Sequence, residues 1–232
     1  MAEHVVIDQR FGGPPGSANG GYTCGLVAGL LGAPAEVTLR RPPPLGRPLA
    51  VERRDGRVEL LDGTELVAEG IGAAVELEVP APVSVADAER ASESFPGFER
   101  HAFPTCFVCG PEREPGQGLR IFAGPVAGRE VVAAPWTPAA DLADEDELVR
   151  AEYVWASLDC PGAIAVGWPD RGDTVLGRLA ARVDRVPRAG ERCVVVGWQL
   201  GEEGRKLWAG TALFGDGGDL LALGRATWIA PR

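Results

Sequence analysis

The ten-residue segment Tyr22-Thr23-Cys24-Gly25-Leu26-Val27-Ala28-Gly29-Leu30-Leu31 is small and apolar nearly all round a helical wheel. A helix with no polar face has to be buried on several sides, so the rest of the chain must supply something that wraps it. Asn19 in front of it is a good helix cap, and Gly32 with Pro34 stops it. The stretch Phe11-Gly12-Gly13-Pro14-Pro15-Gly16-Ser17-Ala18-Asn19-Gly20-Gly21 leads into it and is too rich in glycine and proline for regular structure.

The wrapping material follows. Residues 36–40, 49–53, 57–61 and 65–69 read as strands, with Asp55-Gly56 and Asp62-Gly63 as hairpin turns between the last three. Val75 to Val79 is a further strand candidate. Pro80 and Pro82 then open a connector with a polar helical segment, Val85 to Ser94, closed by Pro96, Gly97 and Pro104. From Gly118 the order repeats. Leu119 to Phe122 and Glu130 to Ala134 alternate like strands, and Glu147 to Gly167 carries a long apolar helical pattern expected to break at Pro161-Gly162. Val175 to Val183, Cys193 to Leu200, Lys206 to Phe214 and Leu220 to Ile229 form a second meander. With 32 glycines and 20 prolines in 232 residues, many turns and short strands are expected rather than long helices.

The halves also echo each other in sequence. The run from Arg40 to Val51 lies against the run from Asp184 to Val195, with Gly46 matching Gly190. Together with the repeated order of strand, buried helix and meander, this predicts two copies of one α+β unit.

A buried helix entered through a glycine turn and wrapped by an antiparallel sheet resembles the hotdog fold of acyl-CoA thioesterases and acyl dehydratases. Asn19-Gly20-Gly21 is similar to the His-Gly-Gly helix start of hotdog thioesterases, with asparagine in place of histidine. Ala156-Ser157-Leu158-Asp159-Cys160 resembles the later part of that helix, where the family places its catalytic carboxylate. Cys106-Phe107-Val108-Cys109-Gly110 through Gly118-Leu119 looks like the opening of thioesterase domains of the phenylacetate-pathway type. The resemblance implies two tandem hotdog units, residues 1–79 and 106–232, each a long antiparallel sheet around a central helix, joined by a connector over 80–105.

In that family the carboxylate lies nine positions after the histidine. Nine after Asn19 is Ala28, and nine before Asp159 is Arg150, followed by Ala151 and Glu152 instead of two glycines. Each half keeps what the other lost. Nine residues of helix span about 13 Å, so a carboxylate at the far end must work with the amides of a neighbouring helix. The resemblance implies such sharing, which leaves one complete site, Asn19, Gly20 and Gly21 facing Asp159, and one defective site, Arg150 and Glu152 facing Ala28.

At the complete site the amides of Gly20 and Gly21, at the positive end of a helix dipole, would hold a thioester oxyanion. Asp159 would activate water as a general base or attack the acyl carbon itself, and the sequence leaves both open. Asn19 would orient the water or the carbonyl. The expected function is hydrolysis of an acyl-CoA or other acyl thioester, with coenzyme A part of the substrate and no cofactor. The alternative is a catalytically silent hotdog module that binds acyl-CoA or an acyl group, which Asn19 in place of histidine favours. Hydratase chemistry ranks last, because neither His4 nor His101 falls on a predicted central helix.

The remaining residues bear on partners. A formal charge of −10 argues against nucleic acid and anionic membrane surfaces. No apolar run reaches the roughly eighteen residues that span a bilayer. Five scattered cysteines do not resemble a disulfide framework and suggest a reducing compartment, the cytoplasm. Cys106 and Cys109 have half the spacing of a zinc site, but with no second pair a buried reduced turn is expected and no metal. Cys160 reads as packing. Arg40, Arg41, Arg53 and Arg54 are candidates for coenzyme A phosphates or simply solvated surface, and Arg178 and Arg182 carry the same ambiguity. The six tryptophans, all at or beyond Trp136, are expected in the core or along an acyl tunnel. Exposed sheet edges leave a homodimer possible.

Overall fold

The computed structural model describes residues 3–32 and 34–231. The first half supplies β1 (His4–Val6), α1 (Gly20–Leu31), β2 (Ala35–Leu39), β3 (Pro48–Arg54), β4 (Arg57–Asp62) and β5 (Glu65–Gly72). After α2 (Val85–Ser92), the second half supplies β6 (Gly124–Pro125), β7 (Val132–Trp136), α3 (Ala151–Ser157), α4 (Cys160–Ala165), β8 (Val175–Val183), β9 (Cys193–Glu203), β10 (Lys206–Gly215) and β11 (Leu220–Ile229).

All these strands join one antiparallel sheet in the order β1-β3-β4-β5-β2-β8-β11-β10-β9-β7-β6. Apart from the edge strand β6, the order is a palindrome about the β2–β8 seam. β1-β3-β4-β5-β2 on one side mirrors β7-β9-β10-β11-β8 on the other, and the halves meet where β2 pairs with β8, Ala35 opposite Ala181 and Thr38 opposite Arg178. Each central strand is the one that follows its half's buried helix. This is an α+β double hotdog.

The symmetry extends to single hydrogen bonds. The amide of Asn19 donates to the carbonyl of Phe11 at 2.7 Å, and that of Arg150 donates to Leu142 at 3.1 Å. Ala18 donates to Pro43 and Val149 to Pro187, while Gly46 donates to Ile7 and Gly190 to Pro138. Gly46 and Gly190 both stand in the left-handed region, at φ 70° and 80°, which is why glycine recurs at the matched position. The equivalence that sets Asn19 against Arg150 also sets Ala28 against Asp159.

The helices lie on one face of the sheet and α2 on the other. Val195 belongs to the core around α1 and α3, while its neighbours Val194 and Val196 belong to a second cluster with Ala88 and Ala91 of α2. The alternation is that of a strand buried on both faces. No described helix is long and apolar enough to cross a membrane.

Three expectations need correction. Val75 to Val79 is not a strand. Its alternating Val75, Leu77 and Val79 pack onto the outer cluster, and the Val75 carbonyl accepts from the Arg182 guanidinium at 3.0 Å instead of from a ladder. Leu119 to Phe122 is not a strand either. Arg120 has φ 54°, and Leu119 and Ile121 donate to the carbonyls of Phe107 and Val108, which ties the segment to the cysteine turn. The long helical pattern breaks at Leu158-Asp159, ahead of Pro161, and its start is not helical: Glu147 has φ 63° and residues 148–150 are extended. Proline is tolerated in a helix's first turn, so Pro161, the second residue of α4, sits in that turn instead of breaking the helix.

Candidate active site

Asn19 caps α1: its side-chain oxygen accepts from the Tyr22 amide at 2.9 Å. That bond fixes which way the side-chain amide faces, so Nδ2 must point away from the helix. Nδ2 donates to Asp159 Oδ2 at 2.8 Å and lies 3.8 Å from Cys106 Sγ. The Gly21 amide donates to the same Asp159 oxygen at 2.9 Å. Asn19, Gly21 and Asp159 therefore come together across the two halves.

Glycine at 21 is what permits the approach. A Cβ there would stand 2.6 Å from Asp159 Cβ and 3.0 Å from the Trp155 carbonyl oxygen. One turn on, a Cβ on Gly25 would stand 2.6 Å from the Glu152 Cα. The two glycines let α1 and α3 run side by side at nearly backbone distance. Asp159 sits in the gap between α3 and α4, where the helix break turns its carboxylate toward the start of α1.

Asp159 is 2% exposed, and its second oxygen, Oδ1, has no hydrogen-bond partner among the described residues. Burial pushes its carboxyl up to about 7; the Gly21 amide and Asn19 offset part of the rise, and the Cys106 sulfur adds to it. Asn19, Gly20 and Asp159 line a cavity of about 360 Å³, whereas Gly21 does not. The two glycines thus have different positions: Gly21 holds the carboxylate and Gly20 faces the cavity. The other walls are mostly apolar and include Leu39, Ala163, Ile164, Trp168, Leu176 and Trp228.

At the symmetry-related place, Arg150 precedes α3 without a side-chain capping bond to its backbone, donates instead to the Tyr153 hydroxyl and pairs with Glu152 at 3.5 Å. Ala28 stands where the carboxylate would be. Of the arginines, Arg40 and Arg41 reach the cavity wall, but Arg40 is paired with Glu69 and Arg41 with Glu65. Arg53 pairs with Glu3, and Arg178 pairs with Glu36 at 3.0 Å. Trp168 and Trp228 line the cavity, and Trp136, Trp155 and Trp198 are buried in the core.

Sequence reasoning missed one group at this site. Cys160, the first residue of α4, brings its sulfur 3.7 Å from Cys106, and the sulfurs of Cys106, Cys109 and Cys160 all lie within 4.8 Å of one another. His101 joins them from the connector, with Nε2 3.5 Å from Cys109 Sγ and 3.2 Å from the Cys109 carbonyl oxygen. All four residues line the cavity. Hydrogen bonds from Cys109 and Cys160 hold the Cys106 thiol well below its usual range. The sequence signal was a third thiol directly after the candidate carboxylate.

The fold defines the class: a single-chain double hotdog, the architecture of thioesterases among the solved structures it matches. A candidate thioesterase from Novosphingobium aromaticivorans is 15% identical with a TM-score of 0.65, over 99% of this chain and 95% of that one. A conserved protein of unknown function with a hotdog fold from Alicyclobacillus acidocaldarius is 10% identical with a TM-score of 0.62, over 99% and 92%. An acyl-CoA thioesterase II, TesB2, from Mycobacterium marinum is 16% identical with a TM-score of 0.57, over 93% and 91%. No family model matches the sequence, and no curated protein matches it.

Proposed function

We propose that the protein hydrolyses an acyl-CoA thioester at one composite site shared by its two halves. The observation that carries this reading is the 2.9 Å hydrogen bond from the Gly21 amide to Asp159, which sets a buried carboxylate at the rim of an apolar cavity. The thioester-hydrolysing names of structural neighbours support it, as does a cavity whose walls suit an acyl chain.

In this reading Gly21 and Asn19 hold Asp159 by one oxygen. The unpartnered Oδ1 then either takes the proton of an attacking water or attacks the acyl carbon, both of which use the same lone pair. Gly20, facing the cavity at the positive end of α1, supplies the amide for the thioester oxygen as charge develops on it. Asn19 positions the carboxylate. One amide side chain accepts from Tyr22 and donates to Asp159 at once. The same groups would serve a thioester carried on coenzyme A or on another thiol.

Release of free thiol from short, medium, long and aromatic acyl-CoAs tests the proposal, with Asp159→Asn as the comparison. Loss of turnover in the variant is expected, and equal rates would overturn the assignment. One observation favours a silent acyl-CoA binder instead: the Gly21 amide is already satisfied by Asp159. Saturable thermal stabilisation by acyl-CoA with no thiol released from the wild type would establish that reading.

A further inference from the structure

We propose that Cys106, Cys109 and Cys160 bind a thiolate-seeking metal ion of the zinc class, with the open coordination position toward the cavity that Asp159 borders. This does not depend on the hydrolase reading, since it concerns metal uptake and not turnover.

The spacing of the sulfurs fits. A tetrahedral ion about 2.3 Å from each of two sulfurs sets them about 3.8 Å apart. Cys106 and Cys160 stand 3.7 Å apart, and all three sulfurs fall within 4.8 Å. Three thiolates with no carboxylate among them select zinc over magnesium or calcium, which take oxygen.

The local backbone is shaped to present these sulfurs. Cys106 to Gly110 is a closed turn: the Gly110 amide donates to the Cys106 carbonyl at 2.9 Å, and a Cβ on Gly110 would stand 2.5 Å from the Cys106 nitrogen. The backbone amides of Cys109 and Val108 favour the Cys106 thiolate. Such N–H groups stabilise a thiolate, as does the Asn19 amide on the same sulfur at 3.8 Å. Cys160 closes the set from α4, 54 positions away in the chain.

His101 is not the fourth ligand. Its Nδ1 accepts from the Phe103 amide at 3.0 Å, so the neutral ring carries its proton on Nε2. That N–H points at the Cys109 sulfur and carbonyl and serves as an outer hydrogen-bond donor. Three protein ligands and one open position is the arrangement of an ion that can take water or a substrate atom. On binding, the three thiols lose their protons to solvent and the complex carries one net negative charge, which the Asn19, His101 and backbone donors offset.

The test uses the full chain, stripped with a chelator under a phosphine reductant and titrated with Zn²⁺ or Co²⁺. One equivalent per chain is expected, with Co²⁺ giving sulfur-to-cobalt charge-transfer absorption and tetrahedral visible bands. Cys106→Ser, Cys109→Ser and Cys160→Ser should each weaken uptake by about 100-fold or more, and Cys193→Ser should leave it unchanged. Alkylation mapped by mass spectrometry on the unmutated chain covers the case of a variant that fails to fold: zinc should protect Cys106, Cys109 and Cys160 and leave the rates at Cys24 and Cys193 unaltered. Absence of stoichiometric uptake, uptake that survives Cys160→Ser, or zinc protection that does not single out these three thiols would overturn the proposal.

Discussion

Gly21 and Asp159 are separated by 138 positions in the chain and joined by one 2.9 Å hydrogen bond. The bond connects the first turn of a helix in one half to a break between two helices in the other. It survives only if both halves fold and the helices meet at nearly backbone distance.

The first prediction follows from that approach. Gly21→Ala places a Cβ 2.6 Å from Asp159 Cβ and 3.0 Å from a backbone carbonyl oxygen that cannot move freely. It should cost about 1–3 kcal/mol in urea unfolding despite alanine's better helix propensity. Gly29→Ala, on an exposed turn of the same helix with no neighbouring side chain or other segment among the described residues within 4 Å of the new Cβ, should stabilise by up to about 1 kcal/mol. Equal effects at the two positions would mean that the helices are not in the contact described.

Asn19→Ala removes both the cap on Tyr22 and a donor to Asp159. A loss of about 1–2 kcal/mol by denaturant titration is expected. If Asn19 holds the carboxylate, thiol release should fall in kcat more than it rises in KM; an intact kcat would leave the cap as its sole role.

Stability should depend on pH through Asp159 in protein kept free of divalent metal. The carboxyl titrates at about 7 when folded, against 3.8 for the ordinary group. Below 3.8 both states hold the proton. Between the two values only the folded state does, so stability falls as pH rises through that window, by at most about 4 kcal/mol in all. Asp159→Asn keeps the acceptor for Gly21 and Asn19 without the charge. It should therefore be more stable than the unmutated chain at pH 8, with a smaller difference at pH 5. The neighbouring thiols of Cys24 and Cys106 face the same carboxylate, so the comparison is best repeated with both thiols intact and reduced. A difference that stays constant with pH would contradict the burial argument.

Ala163 is a small residue on the cavity wall. Ala163→Phe should fill part of the roughly 360 Å³ and reduce turnover of long acyl-CoAs by about tenfold or more while sparing short ones. Uniform loss across chain lengths would place the acyl group elsewhere.

Much of this was legible in the sequence, for identifiable reasons. The bounds of β8 and β11 were readable because apolar alternation and flanking turn residues act locally. The pairing of Gly46 with Gly190 was readable because a left-handed turn admits few other residues. Asn19 and Asp159 could be matched across halves because a fixed offset on two similar helices survives in the chain. What failed was decided by contacts that have no local signature. Leu119 to Phe122 alternates like a strand, yet Arg120 turns into the left-handed region to meet the cysteine turn. Gly20 and Gly21 look alike in sequence, and only packing against Asp159 separates them. Cys160 looked like packing because its partners lie 51 and 54 positions before it.

The pairing of β2 with β8 has a consequence for how the protein behaves on dilution. A site built from two separate subunits vanishes as its concentration falls below the dissociation constant. Here the two contributing segments are tethered in one polypeptide, and the effective concentration of one for the other is set by the chain rather than by the number of molecules in solution. The composite site should accordingly persist at any working concentration.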